Sequence, residues 1–233
     1  MKIPLVDAFR GLGIIKKILF VSHRWEEPYQ PDVDGEQLKA MKAYLGTHKD
    51  IEWVWFDYSS MPQRVSLIHS ARDWRTPKEL AEFDLMLAAI TDMYLTARIL
   101  ILLDGSYVSR FWTLTEAWCS MQKATRDGLK PATEDERRYK ISCIHNATEK
   151  HDSEGLVEKV SEKKPEEMHG ILKKPDVNVT NAKDKEAMLP KILEYDSHVK
   201  DMFAKMEKHA DHDQGAGADG STRRQDAGTV SAF

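Results

Sequence analysis

Apolar positions along this chain fall into two alternating kinds of run. Short, nearly continuous stretches occur at Ile18-Leu19-Phe20-Val21-Ser22, Ile51-Glu52-Trp53-Val54-Trp55-Phe56, Ile99-Leu100-Ile101-Leu102-Leu103 and Tyr139-Lys140-Ile141-Ser142-Cys143-Ile144. Their length and their β-branched and aromatic content predict four strands. Between them, apolar residues recur at helical spacing. Asp34 with Gln37 is an N-cap signal for a helix that buries Leu38, Met41 and Leu45 and stops near Gly46. Thr76-Pro77-Lys78-Glu79 joins a capping box to proline at the first helical position, and Leu80, Phe83, Leu87, Ile90 and Tyr94 are the stripe that helix buries. A third helix follows Ser109 and sets Trp112, Glu116 and Cys119 on one face. Strand–helix alternation of this kind predicts an α/β domain over residues 1–150, a parallel sheet covered on both faces.

The remainder is less regular. Residues 59–75 form a long connection without a clear period, and residues 126–138 read as a charged connector containing Pro131. Residues 151–210 predict a charged helical extension that completes or flanks the sheet. Its parts are an exposed helix over 153–173, a short edge strand at Val177-Asn178-Val179-Thr180, and a long helix over 184–209 carrying Leu189, Ile192, Leu193, Asp196, Val199, Phe203 and Met206 on one side. From Asp211 to Phe233 the composition is that of a disordered tail.

Composition narrows the function classes. The chain has 233 residues, 41% hydrophobic and 31% charged, enough to bury a real core. A net charge of −4 points away from nucleic acid and anionic membranes as partners. Lys16 and Lys17 interrupt the apolar N-terminal stretch, and the two cysteines, Cys119 and Cys143, fit reduced thiols, so a cytoplasmic protein is expected. No dinucleotide fingerprint, phosphate-binding loop, nucleophile elbow or zinc spacing occurs in the sequence, so neither cofactor nor metal is expected.

Candidate chemistry gathers after the strands. The first opens into His23-Arg24-Trp25, the second into Asp57, and the third into a turn, Asp104-Gly105-Ser106, followed by the helix bearing Glu116. Open α/β sheets bind ligands just there, outside the carboxyl ends of their strands. Taken alone, each residue has a plainer reading. Glu116 fits an exposed helical carboxylate, Arg24 an ion-pair partner, His23 a satisfied loop histidine, Asp57 a turn cap and Trp112 a core side chain.

Three segments taken together resemble the Toll/interleukin-1 receptor (TIR) family. Phe20-Val21-Ser22-His23-Arg24 is similar to the family's F-L-S-F-R opening. Phe56-Asp57 resembles the segment before its BB loop, and Ser109-Arg110-Phe111-Trp112-Thr113-Leu114-Thr115-Glu116 resembles its S-x-x-W-C-x-x-E element. Trp25 stands where a glycine often follows the arginine, and Thr113 where cysteine follows the tryptophan. The resemblance spans about residues 18–145 and implies a flavodoxin-like open parallel sheet of five strands. It implies one of two activities: cleavage of the nicotinamide–ribose bond of NAD⁺ as substrate, or self-association with other TIR-like domains in signalling. In the first case Glu116 is the catalytic residue, and Ser22, His23, Arg24, Trp25, Asp57 and Trp112 line the substrate site. Arg24 pairs with the pyrophosphate, and Trp25 or Trp112 stacks on a ring. A nucleoside deoxyribosyltransferase, with a related sheet and a catalytic carboxylate, is the third expectation.

Overall fold

A computed structural model describes residues 2–63, 73–215 and 229–231. Four parallel strands, β1 (Ile18–Ser22), β2 (Trp53–Trp55), β3 (Arg98–Leu103) and β4 (Tyr139–Cys143), lie in the order β2-β1-β3-β4. The two most apolar runs thus become the two central strands, Phe20 beside Ile99 and Ser22 beside Ile101. The shorter and more polar runs take the edges, because only a central strand must present apolar side chains on both faces. This order matches the first four strands of the flavodoxin-like arrangement.

A fifth strand is not found among the described residues. Val177–Thr180, expected at the sheet edge, forms a single bridge through Asn178 to Arg110. The Phe111 N–H donates to the Asn178 carbonyl at 2.8 Å, and the Asn178 N–H donates to Ser109 at 2.7 Å. Its backbone is used to satisfy the orphan groups where the next helix begins.

Among the described residues, six helices of seven residues or more surround the sheet: α1 (Glu36–Thr47), α2 (Pro77–Thr96), α3 (Phe111–Met121), α4 (Glu154–Val160), α5 (Pro165–Leu172) and α6 (Ala182–Gly215). Strand pleating divides β1 and β3 between two cores. Leu19, Val21, Leu100 and Leu102 face α1, which packs Ala40, Met41 and Leu45 against them. Ile18, Phe20, Ile99, Ile101 and Leu103 join the larger cluster with α2, α3 and α6. The α2 capping box is present: Thr76 Oγ1 accepts from the Glu79 N–H, and Glu79 accepts from the Thr76 N–H at 2.7 Å. Helix α1 departs from expectation. Asp32, not Asp34, caps it, accepting the Gln37 and Leu38 N–H groups, and Gly35 precedes it at φ 74°. That start buries Gln37 and leaves Leu38 47% exposed.

Past β3 the fold holds more structure than periodicity showed. The connector contains an antiparallel hairpin, Gln122–Thr125 with Gly128–Pro131. Gly128, at φ 107°, lies so close to α6 that a Cβ there would be 2.0 Å from Asp196 Oδ1, the atom that accepts the Leu129 N–H. Residues 153–173 are two packed helices, not one exposed one: Leu156, Val160, Met168 and Leu172 are fully buried. Met188, Ile192, Tyr195 and Val199 of α6 complete the same core, while Leu193 points outward. Beyond Asp211, α6 continues to Gly215, and Thr229–Ser231 pairs antiparallel with Lys2–Pro4; residues 216–228 lie outside the described residues. Among the described residues no helix is long and apolar enough to cross a membrane.

Candidate active site

The end of β1 is the point where strand order reverses, with β2 on one side and β3 on the other. Such a crevice is where this type of sheet receives ligands. Pleating splits its first two residues. Ser22 follows Phe20 toward α2 and α3, whereas His23 turns toward β2 and stacks on Phe56, ring centroids 4.0 Å apart. The expected site therefore divides into two half-sites.

The Ser22 half-site is built around Glu116. Helix α3 is buried on nearly every side, so Glu116 cannot be an ordinary surface carboxylate; it is 9% exposed. Ser22 Oγ donates to Glu116 Oε2 at 2.6 Å and lies 2.5 Å from the Tyr107 hydroxyl. A serine hydroxyl has one proton, so when Glu116 accepts it, Tyr107 donates to Ser22. The Tyr94 hydroxyl, on α2, lies near Glu116 and donates to the Val21 carbonyl at 3.0 Å. Burial pushes the Glu116 carboxyl well above the ordinary range. The Ser22 donor opposes that, the Asp57 charge adds to it, and Tyr94 opposes it again. No salt bridge to Glu116 occurs among the described residues. Burial thus favours the neutral acid, whereas stabilising a cation calls for the ionised form.

The second half-site centres on Asp57. His23 Nε2 meets Asp57 Oδ1 at 2.7 Å, and the Trp25 indole N–H reaches both carboxylate oxygens, at 3.0 and 2.9 Å. Asp57 also begins the short helix Asp57–Ser60, accepting the Tyr58 N–H at 2.6 Å. The turn-cap reading holds, with two ring partners added. His23 Nδ1 is buried without a partner.

Arg24 and Trp112 do not join either group. Arg24 is held by Asp104, Nε to Oδ2 at 2.7 Å, and also donates to the Trp25 carbonyl. Trp112 lies beside Asp184 at the start of α6 and packs edge-on against Phe111. Helical spacing put Trp112 on the Glu116 face, but the long sixth helix claims its ring.

Sequence reasoning missed Tyr107, and it took Tyr94 for a core side chain only. A buried tyrosine needs a partner for its hydroxyl, and that rule is the signal that finds both. It also missed the rim. Glu26 accepts from Gln37 Nε2 and from the Val33 N–H, and meets His145 Nε2 at 2.8 Å. Burial disfavours the Glu26 charge, yet His145, Val33 and Gln37 outweigh it and lower the carboxyl, while Glu26 raises the imidazole. Residues 64–72 of the 59–75 connection lie outside the described residues; at its end Arg75 bonds Asp73 and lies over the Phe83 ring. Among the described residues no group of three histidine, cysteine or acidic side chains is placed to hold a metal ion.

A scan against protein-family models, a search of curated proteins and a search of solved structures each return no match, so the TIR resemblance rests on its three sequence segments.

Proposed function

We propose that the protein is a TIR-like NAD⁺ glycohydrolase or cyclase in which Glu116 stabilises the ribosyl cation. One observation carries the reading: a single carboxyl, surrounded by hydroxyls and without a salt bridge among the described residues, stands at the carboxyl end of β1 where the strand order reverses. The C1′–N bond of the nicotinamide ribose breaks with its electron pair going to the pyridine ring, which leaves neutral. No general acid is needed, in contrast to ordinary glycoside hydrolysis. Positive charge develops on the ribose, and an ionised Glu116 with no competing cation stabilises it. Water then bonds to C1′ and gives its proton to Glu116, or an adenine nitrogen closes the cyclic product. Asp57, beside Trp25 and His23, supplies a second acidic wall.

The test is incubation with NAD⁺ and chromatography for free nicotinamide. Release by the wild type that Glu116→Ala abolishes supports the reading; equal inertness of the two across a range of protein concentrations ends it.

The second reading is a non-catalytic TIR-like self-association module. It is favoured by the internal pairing of the expected binding groups: Arg24 is spent on Asp104, and the Trp25 indole N–H on Asp57. Light scattering across concentrations tests it, and a strict monomer without nicotinamide release counts against both readings.

A further inference from the structure

Beside Asp57 lies an aromatic corner that the chemistry at Glu116 leaves unused. The Trp25 and Tyr58 ring centroids are 5.1 Å apart with their planes at 76°, so two aromatic faces meet nearly at right angles. Trp25, Asp57 and Tyr58 are all partly exposed. The corner is held from both sides. The indole N–H reaches Asp57 Oδ1 and Oδ2 at 3.0 and 2.9 Å, and the Tyr58 hydroxyl donates to the Tyr29 carbonyl at 3.0 Å. Donation to a carboxylate also polarises the indole and makes its face more electron-rich.

A carboxylate has room for about four hydrogen bonds. Asp57 Oδ1 takes the indole N–H, the Tyr58 backbone N–H at 2.6 Å and His23 Nε2 at 2.7 Å, and Oδ2 takes the indole again. Its hydrogen-bonding capacity is nearly spent. Its charge is not, because the indole and backbone N–H groups are neutral and no lysine or arginine reaches it among the described residues. His23 is a poor counter-ion. Its Nδ1 is buried without a partner, and the second N–H of an imidazolium would be stranded there. A cation drawn to this corner therefore needs charge and an apolar shell. Primary ammonium and guanidinium groups bring N–H donors that Asp57 has little room to accept. A fully alkylated nitrogen brings none, and its positive hydrocarbon surface suits aromatic faces.

We propose that Trp25, Tyr58 and Asp57 form a binding site for a quaternary ammonium group, the two rings serving as walls and the carboxylate supplying the charge. That headgroup is shared by small choline-like molecules and by trimethylated lysine side chains. The site rests on the contacts around Asp57 and stands whether or not Glu116 cleaves NAD⁺.

The test is an NMR titration of full-length ¹⁵N-labelled protein, following the indole N–H signal that Trp25→Phe assigns. Choline is expected to move that signal saturably, and its neutral isostere 3,3-dimethylbutan-1-ol to bind at least about tenfold more weakly. Methylammonium, which keeps its N–H groups, should bind more weakly than tetramethylammonium. Tyr58→Phe keeps the ring face and should bind like the wild type, whereas Tyr58→Leu and Asp57→Asn should each lose about tenfold. Glu116→Gln should bind choline normally. Equal binding of choline and its isostere overturns the inference, and that comparison uses the wild type alone, so it holds even where a variant misfolds. Wild-type affinity in both Tyr58→Leu and Asp57→Asn overturns it as well. So does loss of binding in Glu116→Gln, which would place the cation at the other half-site. Where the site binds, tighter capture of a trimethyllysine peptide than of choline identifies a protein side chain as the source, and the reverse identifies a small molecule. Nicotinamide release is not read at any step, so failure here leaves the reading of Glu116 untouched.

Discussion

Two of the buried carboxyls among the described residues, Asp92 and Glu116, are treated in opposite ways. Asp92, 4% exposed on α2, is met by the Tyr195 hydroxyl at 2.9 Å and by His198 Nε2 at 3.0 Å, both from α6. Glu116, 9% exposed on α3, is met by hydroxyls only. A carboxylate taken out of water without a cation changes its protonation, whereas one given a partner can remain charged. Asp92 thus works as a tether that holds the long helix to the core. Glu116 has been left able to change charge, which a tether has no use for and a cation-forming reaction does. Its lack of a salt bridge among the described residues marks it out, more than the carboxylate does.

The sharpest way to break this contrast is to neutralise each acid in turn. Glu116→Gln keeps shape and the neutral form's charge, so we expect no loss of melting temperature and a fall in nicotinamide release of at least about a hundredfold. Asp92→Ala is expected to do the reverse. It strands the buried Tyr195 hydroxyl and costs about 2 kcal/mol by denaturant unfolding, with release per folded molecule unaffected. If Asp92→Ala abolished release at full stability, the division between tether and site would be wrong.

A smaller effect separates α6 docking from the Asp92 tether. Gly128→Ala places a Cβ against Asp196 at a backbone φ that disfavours side chains. About 1–2 kcal/mol of stability should be lost, again without effect on turnover per folded molecule. Within the site, Ser22→Ala removes a donor that favours the ionised acid more than the neutral one, so the midpoint of the Glu116 infrared carbonyl band should rise.

Much of this was legible in the chain itself, for identifiable reasons. Continuous apolar runs specify central strands, and the Thr76 capping box appears where Thr76 and Glu79 place it. Glu116 was found through its position after a buried strand, and Asp57 through the strand end. What escaped detection depends on partners distant in sequence. Asp184 takes Trp112 and Asp104 takes Arg24, and no local pattern announces either. The hairpin after α3 was hidden because its strands are short and lysine-rich, and their order comes from docking on α6. Residues 153–173 looked solvated because charged side chains outnumber the four fully buried apolar ones, Leu156, Val160, Met168 and Leu172. Tyr94 and Tyr107 were legible only as apolar bulk, since a hydroxyl's role is decided by what the fold places opposite it.

The smallest expected effect is the pH dependence of stability, where Glu116 and His198 act in the same direction but in different windows. Glu116 is raised in the folded protein by burial, so between its ordinary value and its folded one the native state holds a proton that the unfolded chain has released. Its contribution is complete at low pH and declines as pH rises from about 4. His198 is raised by its bond to Asp92, against burial, and the native state again holds the extra proton. That contribution is complete below about pH 6.5 and is lost as pH rises through the folded value. It should be modest, because the His198 side chain is 41% exposed and solvent screens the pair. Chemical denaturation across pH in wild type, Glu116→Gln and His198→Gln separates the two. Glu116→Gln should flatten the slope that begins in the acid range and leave the one above about pH 6.5. His198→Gln should do the opposite. If both substitutions flattened the same window, the two clusters would be electrostatically coupled, and the Asp92 tether would bear on the ionisation of Glu116.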